Sequence, residues 1–415
     1  MNDKELIPHL FRTEYSKITA VLCKFLGIDH IEIAEDIASE TFALALDTWT
    51  YKGIPENPSA WLYTVAKNKA KNQIRHNQIF KEKISGNIKY LSGEDVSSEI
   101  DLSEKNITDS QLQMLFAICH PSIPPEAQIG LALRILCGFG IDEISNAFLS
   151  NKETISKRLI RAKEKLRSEK VQITSIPASE INGRLETVLK TLYLLFNEGY
   201  YSESKDAILR EDLCLEAIRL TRQLVENKET NLPITNALLS LMCFHASRFA
   251  ARKNENGEIV LYHDQDETLW NQGLINKGAH YLRQASQGKI ISKYHLEASI
   301  AYWHTIKNDS QEKWESILQL YNRLLQLEYS PIAALNRTFA LSMANAQLPN
   351  DHGKKIAIIE AEKLQLTTNH YYFTLLGILY KGIDHEKSKN NFQKALSLAK
   401  SQTDKKTIMR YLSED

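Results

Sequence analysis

The chain has 415 residues, and its 51 lysines and arginines are balanced by 51 aspartates and glutamates, so the formal net charge is zero. This length exceeds one ordinary domain and predicts two or three. A content of 43% hydrophobic and 25% charged residues is typical of a soluble globular protein, and the low counts of glycine and proline argue against an extended all-β or Gly-rich architecture. Neutrality also argues at first against a nucleic-acid-binding protein, because such domains carry a basic surplus.

Targeting and redox features predict a cytoplasmic protein. No segment reaches the ~18 uninterrupted apolar residues of a membrane span, and the N-terminus lacks the basic and apolar regions of a secretory signal. The five cysteines are far apart and form no C-x-x-C pair. We expect them to be reduced thiols that pack as small hydrophobic side chains.

The neutral total conceals four blocks of alternating sign. Residues 31–47 hold five acids and no base, 67–83 hold six bases and one acid, 94–109 hold six acids and one base, and 152–170 hold eight bases and three acids. Such blocks can present different faces to different partners. Solvated helix faces are the alternative interpretation of any single block.

The first 85 residues predict three helices. Apolar residues recur at three- and four-residue steps from Leu10 to Phe25 and again from Ala34 to Leu46, which is the period of an amphipathic helix. A third helix opens at Asn57-Pro58, with Asn as cap and Pro in the first position, and continues into the second charge block. Residues 78–107 are polar and acidic and predict a flexible linker.

A second helical unit follows the linker. Thr108-x-x-Gln111 and Ser150-x-x-Glu153 are capping-box patterns that predict two helix starts. On the last helix, Ile155, Leu159, Ala162 and Leu166 form an apolar stripe. An adjacent face carries Thr154, Lys157, Arg158, Arg161 and Lys165. Together with the short predicted helix 142–148, this is the pattern of a helix-turn-helix with a basic outer face.

From residue 181 onward the pattern is helical throughout. One segment matches the tetratricopeptide pattern, with the second helix one residue early, through Phe373, Leu376, Gly377, Tyr380, Phe392 and Ala395. One such repeat favours an α-solenoid, and an irregular helical bundle is the alternative. The fold class predicted for the whole chain is all-α.

No catalytic or metal-binding motif stands out. The loop His263-Asp264-Gln265-Asp266 gathers possible ligands but lacks the glycine and the following Glu of an EF-hand. The phosphate-binding, dinucleotide-binding, hydrolase and zinc-protease motifs are missing from the sequence. We therefore expect a protein that is not an enzyme and that uses no metal or cofactor.

Three blocks in order resemble a bacterial RNA polymerase sigma factor of the extracytoplasmic-function group (group IV) of the sigma-70 family. They are Ala34–Phe42, Trp61–Asn68 with Asn72 and Arg75, and Glu143-Ile144 with Thr154–Lys163. The resemblance implies region 2 in residues 1–77 and the region 4 helix-turn-helix in 108–172. Residues 181–415 resemble the C-terminal tetratricopeptide-like extension of one subgroup through segments 192–200, 264–270 and 330–337.

The resemblance implies two partners, core RNA polymerase, through its β′ clamp coiled coil and β flap, and promoter DNA. The implied polymerase-binding residues are Glu35, Asp36, Glu40 and Phe42. Those implied to bind and melt the minus-ten element are Trp61, Lys67, Asn68, Lys71, Asn72 and Arg75. Those implied to read the minus-thirty-five element are Thr154, Lys157, Arg158, Arg161 and Lys165. The family often has Asp-x-x-Arg-Arg where this chain has Asn72-Gln-Ile-Arg75-His76.

The acidic blocks would then face polymerase and the basic blocks DNA, which reconciles a neutral total with DNA binding. The C-terminal region could inhibit the factor, assist it, or bind a regulatory protein. Two other classes fit parts of the sequence. A repressor with a ligand-sensing helical domain would share the helix-turn-helix without needing the Ala34–Phe42 block, and a pure tetratricopeptide scaffold would have no basic recognition face.

Overall fold

The computed structural model describes residues 3–85, 100–148, 150–174, 178–200, 210–252, 260 and 262–413. Every regular element in these residues is helical, which confirms the predicted all-α fold. The chain divides into two compact units, residues 1–195 and 196–415. No helix among these residues is long and apolar enough to cross a bilayer. Most of the predicted linker, residues 86–99, lies outside the described residues.

In the described residues of the first unit there are eight α-helices, the last of which continues past residue 195. Their bounds are α1 Asp3–Leu26, α2 Ile31–Lys52, α3 Pro58–Ser85, α4 Glu104–Ile118, α5 Pro125–Leu131, α6 Ile141–Ala147, α7 Lys152–Ser168 and α8 Ala178–Tyr200. A 3-10 turn, Ile28–His30, precedes α2, and a π-helical segment, Ala132–Leu136, continues α5.

Local side-chain chemistry sets where these helices begin. The Asn57 side chain accepts from the Ala60 amide at 3.0 Å, as predicted for the cap of α3. Two predicted caps are wrong. Asn151 caps α7 by accepting from the Thr154 amide at 2.7 Å, whereas the Ser150 amide donates to the Ser145 carbonyl at 2.9 Å in the preceding turn. Ser103 caps α4, so the start of this helix precedes the predicted Thr108.

Helix α1 is the centre of the first unit and packs against α2, α3 and α4. Tyr15 is fully buried and stacks on Phe11, whose ring meets Phe42 of α2 edge-on at 5.0 Å between centroids. The contact with α4 includes polar pairs, and Gln111 Nε2 donates to Ser16 Oγ at 3.2 Å. Residues 100–174 therefore pack on residues 3–85 within one body.

Helix α8 completes the first unit. Its Arg184 donates to the Phe116 carbonyl at 2.7 Å, and its Thr191 hydroxyl donates to Gln128 Oε1 at 2.7 Å. Leu185, Val188, Leu189 and Leu192 are buried. The first unit therefore extends beyond the helix-turn-helix.

The second unit is a succession of helices in which neighbours in sequence pack on one another. Their bounds are α9 Glu211–Glu226, α10 Pro233–Ala246, α11 Gln272–Ala285, α12 Lys293–Trp303, α13 Gln311–Leu327, α14 Pro331–Ala344, α15 His352–Lys363, α16 His370–Tyr380, α17 His385–Leu398 and α18 Gln402–Ser413. The predicted repeat corresponds to α16 and α17. Gly377 lies so close to Phe392 that a Cβ there would come within 2.7 Å of the ring.

The cysteines are free and buried, as predicted. Burial raises the pKa of Cys119, Cys214 and Cys243 to about 12. A thiol with such a pKa is protonated at neutral pH and therefore a poor nucleophile.

Candidate polymerase-binding and nucleic-acid interfaces

Helix α2 presents an acidic stripe to solvent. At 100° per residue, Asp36, Glu40, Ala43 and Asp47 fall within about 60° of each other, and all four are exposed. Glu40 is also paired with Lys69 of α3 at 2.7 Å. Asp36 and Glu40, which sequence reasoning assigned to polymerase, thus share one accessible face.

The other two residues assigned to polymerase lie elsewhere on α2. Phe42 is buried in the aromatic cluster with Phe11 and Tyr15, so it supports the helix from beneath. Glu35 is only 6% exposed. Its Oε1 accepts from Arg134 Nε at 2.8 Å, and its Oε2 accepts from Lys163 Nζ. Neither residue is part of the accessible stripe.

The Glu35 contact joins three elements that are distant in sequence. Arg134 comes from the π-helical segment and also donates to the Phe139 carbonyl at 3.2 Å. Lys163 comes from α7. One turn away, Glu32 pairs with Arg167 of α7, and Lys163 Nζ lies 3.8 Å from Glu32. These five side chains are called the α2–α7 ion cluster below.

Helix α3 carries the residues assigned to the minus-ten element. Trp61, Asn68, Asn72 and Arg75 fall within about 60° on the helix, in a line about 21 Å long. The last three are exposed, whereas Trp61 is half-buried and meets Trp49 edge-on at 5.3 Å. Lys67 and Lys71 are half-buried beside this line. The arrangement combines amide donors and acceptors, cations and one ring edge along a single face.

Helix α7 has three distinct faces. Its apolar stripe, Ile155, Leu159, Ala162 and Leu166, is buried as predicted. Thr154, Lys157, Arg161 and Lys165 are exposed, and Arg158 is half-buried with its guanidinium 5.8 Å from the centre of the Phe148 ring. Lys163 and Arg167 occupy the side roughly opposite to that exposed basic face and contact α2 instead.

Sequence reasoning missed the roles of Lys163 and Arg167, which it counted within the basic block. The sequence does separate these two residues from the exposed basic face, because the helical wheel places both about 180–220° from Thr154. Their four-residue spacing also matches the three-residue spacing of Glu32 and Glu35 on the partner helix. Nothing in the local pattern, however, indicates which helix is the partner.

The loop considered for a metal has structural roles in the second unit. Asp266 caps a short turn by accepting from the Thr268 hydroxyl and amide, and these hydrogen bonds lower the pKa of its carboxyl group. Asp264 pairs with Arg410 at 2.7 Å. Within the described residues no three His, Cys, Asp or Glu side chains gather as a metal site, and the His263 side chain lies outside them.

Two segments of the chain match known protein families. Residues 10–79, which include α2 and most of α3, match the Sigma-70 region 2 family, and residues 184–286 match a family of unknown function, DUF6596. The chain therefore contains a Sigma-70 region 2 domain, which supports its assignment as a factor of the sigma-70 family. No solved structure matches it.

The full-length comparison is with a Rhizobium meliloti (strain 1021) protein called Uncharacterized protein R00370. The two are 31% identical over 380 residues, which cover 89% of this chain and 87% of that protein. The chain belongs to the same family as R00370, and a shared region of this size must extend into both units.

Proposed function

We propose that the chain is a promoter-specific initiation factor of the extracytoplasmic-function group, in which residues 1–77 act as region 2 and 108–172 as region 4. The observation that supports this most is the match of residues 10–79 to sigma-70 region 2, whose acidic stripe on α2 is solvent-exposed. Such factors bind core RNA polymerase and promoter DNA and catalyse no reaction themselves.

Core polymerase binds the α2 stripe. Asp36 and Glu40 form charge-assisted contacts with basic residues of the β′ clamp coiled coil, and Phe42 keeps the helix in place from the interior. Glu35 is buried beside the stripe and contributes to polymerase binding through its negative charge and not through direct contact. The β flap is the second polymerase contact and binds the region 4 part of the chain.

Promoter DNA is read by two helices. On α3, Lys67, Lys71 and Arg75 neutralise phosphates, Asn68 and Asn72 bond to the edges of unstacked bases, and Trp61 offers a ring at the end of that line. On α7, the exposed basic face enters the major groove of the minus-thirty-five element. There Arg158 and Arg161 can make bidentate contacts with guanine, while Lys157, Lys165 and Thr154 fix phosphates.

The second unit, within the tetratricopeptide-like extension 181–415, regulates this activity in the cytoplasm, through a protein partner or directly. Since α8 packs into the first unit, a shortened chain should end near residue 195 rather than before α8. Promoter-directed transcription by residues 1–195, compared with the full chain, separates an inhibitory extension from a required one.

The polymerase contact is tested by co-purification with core enzyme. Asp36→Arg should abolish binding while leaving the helical circular dichroism signal unchanged. Glu229→Arg, which makes the same change of charge at an exposed site in the second unit, should bind as the wild type does. Equal recovery of core enzyme with both variants would contradict the assignment of the α2 stripe.

A further inference from the structure

Several segments of the second unit meet around the ring of Tyr262. The guanidinium carbon of Arg248 lies 5.5 Å from the ring centre, and Lys313 Nζ lies 5.3 Å from it. Trp270 stacks on the same ring at 6.2 Å between centroids, and His304 meets it edge-on at 5.3 Å. These five side chains, called the Tyr262 cluster below, come from the turn after α10, the segment before α11, the end of α12 and the start of α13.

The two buried cations of the Tyr262 cluster differ in their partners. Lys313 is fully buried and donates to Asp309 Oδ1 at 2.9 Å, to the Ile306 carbonyl at 2.7 Å and to the Tyr262 hydroxyl at 3.1 Å. Arg248 is only 8% exposed, yet among the described residues its Nε has no hydrogen-bond partner and no carboxylate pairs with its guanidinium. A buried cation normally faces a carboxylate, as in the α2–α7 ion cluster, because a buried charge without a counter-ion is costly. Arg248 therefore calls for an anion.

Further polar atoms near the same ring are buried without a hydrogen-bond partner in the described part of the chain. They are Gln265 Oε1, Trp270 Nε1 and Trp314 Nε1. The Gln265 amide donates to the Tyr262 carbonyl at 3.3 Å, and Trp314 lies 6.0 Å from His304 between ring centres. Almost all buried polar groups of native proteins have a partner, so unpartnered atoms gathered in one place indicate a bound group. These atoms offer that group two donors and one acceptor.

The surroundings of this cluster favour a negative charge. The guanidinium carbon of Arg252 lies 4.0 Å from the centre of the Tyr200 ring, which lies 4.5 Å from the His245 ring. Burial, followed by the charges of Arg248, Arg252 and His304, holds the pKa of His245 well below 6.5. The side chains that act on this buried imidazole are thus all cationic, and a surplus of positive charge away from water attracts an anion.

We propose that the Tyr262 cluster binds a small organic anion whose carboxylate or phosphate group pairs with the guanidinium of Arg248. Two N–H groups of a guanidinium match two oxygens of either group. Trp270 Nε1 donates to the ligand, and Gln265 Oε1 accepts from a hydroxyl or amine on it. Lys313 is a positioning residue that holds the Tyr262 hydroxyl. The site lies wholly in the second unit, so binding does not depend on the proposed function.

Thermal unfolding of the full chain, dialysed into chloride buffer, tests whether Arg248 lacks a partner within the chain. Arg248→Met removes the charge and keeps a flexible apolar side chain, so it should raise Tm by about 2–4 °C. Arg283→Met makes the same change at an exposed site and should shift Tm by less than about 2 °C. A lower Tm in Arg248→Met than in Arg283→Met would show that groups of the chain itself satisfy the guanidinium, and would overturn the proposal.

Calorimetric titration at constant ionic strength tests binding itself. The probes are acetate, benzoate, inorganic phosphate and phenyl phosphate, which separate carboxylate from phosphate and a bare anion from one that carries a ring. At least one probe should bind the wild-type chain and Arg283→Met with a stoichiometry near one, and should bind Arg248→Met about 10- to 100-fold more weakly. If every probe either fails to bind or binds Arg248→Met as tightly as the wild type, the anions are adventitious only and the proposal is wrong.

Discussion

Lys163 of α7 donates a hydrogen bond to Glu35 of α2 across 128 residues of sequence, and both side chains are buried. Arg134 contacts the other oxygen of the same carboxylate. One carboxylate therefore lies against two cations where α2 meets α7 and the π-helical segment.

Removing that carboxylate should destabilise the chain strongly. Glu35→Ala removes the carboxylate partner of Arg134 and leaves Lys163 with only the more distant Glu32 at 3.8 Å, and breaking one side of a buried ion pair costs about 3–5 kcal/mol. Glu40→Ala removes an exposed acid whose pair with Lys69 is worth less than about 1 kcal/mol. Urea unfolding of the two variants measures the difference. Equal shifts of the unfolding midpoint would show that the buried cluster adds nothing beyond an exposed pair.

Arg161 should act as a base reader. Arg161→Ala is expected to cost about 1–3 kcal/mol of promoter affinity and to relax preference at one position of the minus-thirty-five element. Arg161→Lys keeps the charge but loses the planar fork that recognises guanine. Polymerase-dependent binding to a set of single-base promoter variants tests this. Recovery of affinity and preference by Arg161→Lys would identify a phosphate contact instead.

The packing of α16 against α17 depends on the small size of Gly377. A Cβ at this position would lie 2.7 Å from the buried ring of Phe392, so Gly377→Ala should destabilise the second unit by about 1–3 kcal/mol. The matched change Gly183→Ala in α8 meets no atom within 4 Å and should stabilise by about 0.5–1 kcal/mol. Thermal unfolding of the two variants shows whether each substitution raises or lowers the stability. Stabilisation by both would contradict the close packing of Gly377 against Phe392.

A buried histidine should make the second unit sensitive to acid. Burial, followed by the charges of Arg248 and Arg252, holds the pKa of His245 well below 6.5, so the folded form keeps it neutral. The unfolded chain takes up that proton near pH 6.5, so stability is full above this pH and falls below it.

Between pH 7.5 and 5.5 the contribution of His245 amounts to a loss of about 1.4 kcal/mol. His245→Phe, which suits the contact with the Tyr200 ring at 4.5 Å, should remove that part of the pH dependence. His280→Gln, at an exposed position, is the control and should keep it. Urea unfolding at the two pH values measures both, and an unchanged slope in His245→Phe would contradict the assignment.

The helices could be predicted from local periodicity, because apolar residues at helical spacing are the residues that each helix buries. Ile155, Leu159, Ala162 and Leu166 were assigned to one apolar face and are buried. Caps were less predictable, because Ser150 and Asn151 are adjacent and both can cap; only backbone geometry shows that the Asn151 oxygen reaches the Thr154 amide.

The long-range contacts of the site were not predictable. A burial pattern shows that Glu35 lies near the edge of the polar face of α2, but not that two cations from 99 and 128 residues away cover it. A count of bases in a charge block does not separate the faces of the helix, so the sequence groups Lys163 and Arg167 with the cations predicted to face DNA. The exposure of Asp36 and Arg161 could be predicted without knowledge of long-range contacts, because it follows from their positions on the helical wheel.

The proposed function is tested most directly by run-off transcription with purified core RNA polymerase and genomic promoter fragments. Adding the full chain should give defined transcripts from a subset of fragments, and Asp36→Arg should give none. A repressor would bind the same duplex without core enzyme and yield no such product. Absence of any promoter-specific transcript from wild-type chain that binds core polymerase would contradict a role in initiation.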